Sequence, residues 1–105
     1  MSDRDVVETR KIALVTGASR GIGAAIAQQL TDYGFFVVGT ATTDQGADTI
    51  SNVLADHGTG MVLDVRNAEA IDQAVAGIEQ QYSAVVVLVN NAGITRDNLL
   101  LRMSS

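Results

Sequence analysis

The chain has 105 residues, 47% of them hydrophobic and 18% charged, with a formal charge of -5. That length suits one domain, the composition is that of a folded protein, and an acidic chain without a Lys/Arg cluster argues against nucleic acid and anionic membranes as partners. The absence of cysteine excludes disulfides, zinc-thiolate sites and cysteine nucleophiles, and a single histidine, His57, nearly excludes a His-His metal site or a Ser-His-Asp triad.

Met1 to Arg10 read as a polar lead-in without the apolar core of a secretory signal. No apolar run approaches the ~18 residues of a membrane span, so a soluble cytoplasmic protein is expected. Lys11-Ile12-Ala13-Leu14-Val15-Thr16 is a short, β-branched apolar run bounded by Gly17, the pattern of a buried strand. Gly21 to about Tyr33 follows a helical period, with Ile22, Ile26 and Leu30 on one face and Gly34 as the stop. Phe35 to Thr40 predicts a second strand. Asp44 to His57 predicts a helix with Ala47, Ile50 and Leu54 inward, ended by Gly58. Met61 to Asp64 predicts a third, short strand. Asn67 can cap a helix whose apolar stripe is Ile71, Val75, Ile78 and Tyr82. Val85 to Asn90 is the fourth strand and the most apolar. Leu99, Leu100, Leu101 and Met103 carry no period long enough to assign; Leu99, Leu100 and Met103 suit helix packing or an interface.

Strands alternating with helices imply βαβ units and a parallel sheet covered on both faces. The strands agree, because they are continuous apolar runs and not in/out alternations. The expected fold is α/β, a Rossmann-type doubly wound sheet. The fourth strand demands neighbours on both sides, and nothing after it reads as a fifth strand. Residues 11–105 are therefore expected to form the N-terminal, four-strand part of a larger single domain. Its partner strands would lie in a longer chain or in another one.

The chemistry-bearing segment is Thr16-Gly17-Ala18-Ser19-Arg20-Gly21-Ile22-Gly23, at the first strand-to-helix turn. Glycines let the backbone turn tightly and approach a ligand, and a helix N-terminus offers free N–H groups to a diphosphate. No Gly-Lys-Ser/Thr follows, so this is not a P-loop. The spacing G-x-x-x-G-x-G also departs from the G-x-x-G-x-x-G of sugar-nucleotide epimerases.

With Asp64-Val65 after the third strand and Asn90-Asn91-Ala92-Gly93 after the fourth, the segment resembles the short-chain dehydrogenase/reductase family, three motifs in register. Gly39-Thr40-Ala41-Thr42 and Ile94-Thr95-Arg96-Asp97-Asn98-Leu99 bring the resemblance to the bacterial reductases of 3-oxoacyl groups on acyl carrier protein. It implies NADP(H) as cofactor, an acyl carrier protein-linked substrate, fatty acid biosynthesis and a homotetramer at full length. It implies that Gly17, Ser19, Gly21, Ile22 and Gly23 cradle the cofactor. It further implies that Asp64 accepts from the adenine amino group, with Val65 against the ring. Asn91, Ala92 and Gly93 would line a ribose, and Asn90 would tie neighbouring strands together.

Arg20 suits the ribose 2′-phosphate, which its planar fork matches. At the end of the second strand, where NAD-binding relatives carry an acid, Thr40 and Thr42 offer hydroxyls. Asp44, one step beyond Thr43, is the residue that could still serve NAD. NADP(H) is the expected cofactor. No metal site is expected.

The family's catalytic Ser, and its Tyr and Lys four apart, have no counterpart here. Tyr33 and Tyr82 lack a Lys four residues on, and Lys11 is the only lysine. Two functions follow as expectations. One is the cofactor-binding half of an NADPH-dependent 3-oxoacyl reductase, inactive by itself. The other is a truncated, non-catalytic NADP(H)-binding module.

Overall fold

In the computed structural model, residues 11–64, 68–91 and 100–103 are described. The two apolar runs expected as central strands lie at the middle of the sheet. Ile12–Thr16 forms β1, with every residue buried, and Phe36–Ala41 forms β2, equally buried. Between them Gly21–Asp32 forms α1. The chain leaves α1 through Gly34 at φ +95°, where glycine adopts the positive φ without a Cβ penalty. Asp44–Leu54 forms α2, followed by a 3-10 turn over Ala55–His57. Then come β3 (Gly58–Val62), α3 (Ala68–Gln81), β4 (Val85–Asn90) and β5 (Leu100–Met103).

The strand order is β3-β2-β1-β4-β5. The first four strands are parallel, with Leu14 opposite Val38 on one side and Leu88 on the other. Alternation along β1 divides the core. Ala13 and Val15 join Ala27 of α1 and Ile50 and Leu54 of α2 on one face. Ile12 and Leu14 join Ile78 of α3 on the other, where the rings of Phe36 and Tyr82 meet at 5.0 Å. This is the doubly wound α/β arrangement expected from the sequence.

Three details differ from expectation. The third strand begins at Gly58, not Met61, and ends at Val62. Its start carries no apolar signal because Gly58 and Gly60 are packed directly under α2, where a β-carbon on Gly60 would overlap the carbonyl of Ala47. Ile22 does not share the buried face of α1. It is 67% exposed, and Gly23 and Ala27 make the close packing with Ile26 and Leu30 alongside. A fifth strand does follow β4: Leu100–Met103 pairs with it antiparallel, Leu101 opposite Val89. The strand supplies backbone partners to an apolar strand that would otherwise be an open edge. The expected cap at Asn67 lies outside the described residues, as do Met1 to Arg10. No helix among the described residues is long and apolar enough to cross a membrane.

Candidate functional site

Parallel pairing puts the carboxyl ends of β1, β2, β3 and β4 along one edge of the sheet. Thr16 stands opposite Asn90, and Ala41 opposite Val62. The order reverses between β1 and β4, so a crevice opens at the carboxyl end of β1. The glycine turn lies there.

The turn is tied to both flanking strands. Gly17, at φ +64°, donates its N–H to Thr40 Oγ1 at 3.3 Å. The next N–H, of Ala18, goes to the carbonyl of Thr40 at 2.9 Å. From the other side, Asn91 Nδ2 donates to the carbonyl of Gly17 at 3.2 Å. One residue further down the same two strands, Thr16 Oγ1 donates to Asn90 Oδ1 at 3.1 Å, so Asn90 joins β4 to β1. Gly23 is essential to the tight fit of α1 beneath this turn, since a β-carbon on it would overlap the Gly17 carbonyl.

The start of α1 differs from that of α2. Thr43 caps α2 by accepting the Gly46 N–H at 3.0 Å, and Asp44 sits in its first turn. At α1 the residue before the helix is Arg20, which makes no side-chain cap, and the first turn holds no acidic residue. Among the described residues, no carboxylate or hydroxyl caps the N–H groups of that turn, which keep their partial positive charge.

Next to it is an open cleft of about 370 Å³ lined by Ser19, Arg20, Thr42, Thr43, Gln45 and Thr49, with Ala41 and Gly46 at its floor. Among the described residues, the lining offers a guanidinium, hydroxyls and an amide, and no carboxylate. Asp44 is exposed and does not line it. These donors extend from the helix start toward the end of β2, a set whose chemistry suits phosphate oxygens.

Of the expected site residues, Gly17, Ser19, Arg20, Gly21, Ile22 and Gly23 form the turn and the first turn of α1. Gly21 has φ +66° with open space around it, and Ile22 is exposed beside it. Thr42 is exposed at the cleft, with Arg20. Thr40 is different: it is 1% exposed, and both its hydroxyl and its carbonyl face the turn from beneath. Asp64 lies two residues past the end of β3, exposed and outside the cleft lining. Asn91 is half-buried, engaged with Gly17. Val65, Ala92 and Gly93 lie outside the described residues. Gln45 and Thr49 were not expected at the site. Their spacing of four on a helix that starts beside Thr42 is the signal that places both on one face. No cluster of side chains able to hold a metal ion occurs among the described residues.

Residues 11–105 match the model of the short chain dehydrogenase family. The chain is 55% identical over 93 residues to the 3-oxoacyl-[acyl-carrier-protein] reductase FabG of Haemophilus influenzae, 57% to that of Vibrio cholerae and 54% to that of Escherichia coli. Each match covers 89% of this chain and 38% of the relative, so the chain spans about two fifths of the length of these proteins.

Proposed function

The chain belongs to the short-chain dehydrogenase family, and from that membership we propose that residues 11–105 are the NADP(H)-binding part of a reductase. The whole protein would reduce 3-oxoacyl groups on acyl carrier protein to 3-hydroxyacyl groups for fatty acid biosynthesis, as the names of its relatives suggest. Its proposed setting is the cytoplasm, as a homotetramer.

One observation carries the reading. Arg20 and Thr42 share a cleft with no carboxylate among its described lining residues, directly beside a helix start with no side-chain cap. The donor set fits a dinucleotide carrying a 2′-phosphate. The first-turn N–H groups of Gly21, Ile22 and Gly23, with Ser19, would hold the diphosphate. Arg20 would take the 2′-phosphate as a bidentate fork, with the Thr42 hydroxyl donating beside it. Asp64 and Val65 would meet the adenine, and Asn91, Ala92 and Gly93 the second ribose. The nicotinamide supplies hydride when bound; this chain's residues bind and orient it. With Lys11 the only lysine and no Tyr four residues before a Lys, these residues are proposed to bind nucleotide without turnover.

Calorimetric titration of the purified chain with NADPH and with NADH tests the binding. Saturable binding is expected, tighter for NADPH by about 10-fold or more, the value of a charge-assisted hydrogen bond. No heat with either nucleotide would defeat the reading. Equal affinity for both would remove the 2′-phosphate assignment.

A further inference from the structure

Gly17 has φ +64°, a conformation that glycine enters freely and leaves as freely. A turn that must present N–H groups to a ligand in one geometry needs something else to hold it. The Gly17–Ala18 peptide is held at both ends: its carbonyl accepts from Asn91 Nδ2, and its N–H donates to the Thr40 carbonyl. The peptide before it has its N–H on the Thr40 hydroxyl. Thr40 thus takes two consecutive N–H groups of the turn, and at 1% exposure it is closed off from any ligand in the cleft.

We propose that Thr40 is a positioning residue for nucleotide binding, its hydroxyl fixing the Gly17 peptide so that the glycine turn is already in its binding conformation before the ligand arrives. The proposal rests on the nucleotide-binding reading above. Hydroxyl and carbonyl act together. The carbonyl is fixed by the sheet, and the hydroxyl, one bond set away, stops the Gly17 N–H from turning out toward water. Removing the hydroxyl leaves a partly buried N–H without its acceptor, and the turn spreads over conformations of which only a fraction bind. Apparent affinity falls by that fraction. Valine keeps nearly the shape of threonine and lacks the acceptor; serine keeps the acceptor and loses only a methyl.

Two measurements decide it. Titration of Thr40→Val and Thr40→Ser with NADPH should show about 10-fold weaker binding for the valine variant, the worth of one hydrogen bond, and binding close to the parent for serine. Amide hydrogen exchange of the parent chain without nucleotide should show Gly17 and Ala18 more protected than Ser19 and Arg20. In Thr40→Val, Gly17 should lose that protection while Leu14 in β1 keeps its own. Unchanged affinity in Thr40→Val, or equal losses in the valine and serine variants, would overturn the proposal, since the hydroxyl would then not be the cause. If Thr40→Val fails to fold, exchange in the parent still decides: a Gly17 amide as fast as that of Ser19 refutes the clamp. A parent that binds no NADPH would sink the functional reading instead, with the exchange order still deciding whether Thr40 holds the turn.

Discussion

The α-carbon of Gly23 lies directly against the carbonyl oxygen of Gly17, leaving no room for a side chain, and Asn91 Nδ2 reaches the same oxygen at 3.2 Å. The helix start, the glycine turn and the end of β4 therefore meet at one carbonyl. Gly23→Ala would drive a methyl into backbone, which cannot move aside as a flexible side chain can. The expected loss of stability is about 3 kcal/mol, at the upper end for overpacking. Urea unfolding of the variant against the parent measures it. A change below about 0.5 kcal/mol, the range of an ordinary surface substitution, would mean that the turn relaxes easily.

Arg20 is exposed at the cleft and caps nothing. Arg20→Ala should therefore leave folding nearly unchanged. It should weaken NADPH by about 10- to 100-fold through loss of charge-assisted hydrogen bonds, and leave NADH almost unaffected. Parallel titrations with the two nucleotides check this. Equal losses for both would place Arg20 on the diphosphate and not on the 2′-phosphate.

Ala55 follows α2 with φ 52° and ψ -118°, a region that residues with a β-carbon rarely occupy. Strain of this kind costs about 1–3 kcal/mol. Ala55→Gly should relieve it and raise stability by about 1 kcal/mol net, after the larger unfolded-state entropy of glycine is deducted. Thermal unfolding should show a higher midpoint. A lower one would show that Ala55 sits without strain.

Gly77 is the converse case. It lies inside α3, exposed, with open space where a β-carbon would go. Gly77→Ala should stabilise the protein by about 0.5–1 kcal/mol from helix propensity alone. Denaturant midpoints for the pair Gly23→Ala and Gly77→Ala should move in opposite directions.

The residues that were legible in the sequence are those whose signal is local. Val85 to Asn90 reads as a strand because six consecutive residues have no helical period, and β4 has those limits. The glycine turn is legible because its spacing falls where an apolar run gives way to a helix. The start of β3 was hidden, because Gly58-Thr59-Gly60 owes its strand state to α2 packed over it, and a glycine chosen for closeness carries no hydrophobic signal. Ile22 misled for the opposite reason: its period matches Ile26 and Leu30, but it is 67% exposed, and the buried residues of α1 are Gly23 and Ala27. Leu100–Met103 was unreadable as a strand because four residues, Leu-Leu-Arg-Met, are too few to show a period, and their strand state comes from pairing with β4. Thr40 shows the same limit at the site. Composition places a hydroxyl at the end of β2, and only the pairing of β1 with β2 turns it under Gly17 and away from the cleft.

The helix start after Gly17 is proposed to receive a dinucleotide diphosphate. Backbone amide chemical shifts during an NADPH titration test it most directly. The largest changes should fall on Ser19, Arg20, Gly21, Ile22 and Gly23, with Thr42 following and the strand interior at Leu14 and Val38 still. Saturable binding with those amides unmoved, and the changes concentrated instead around Met61, Gln73 and Tyr82 in the groove between β3 and α3, would contradict it.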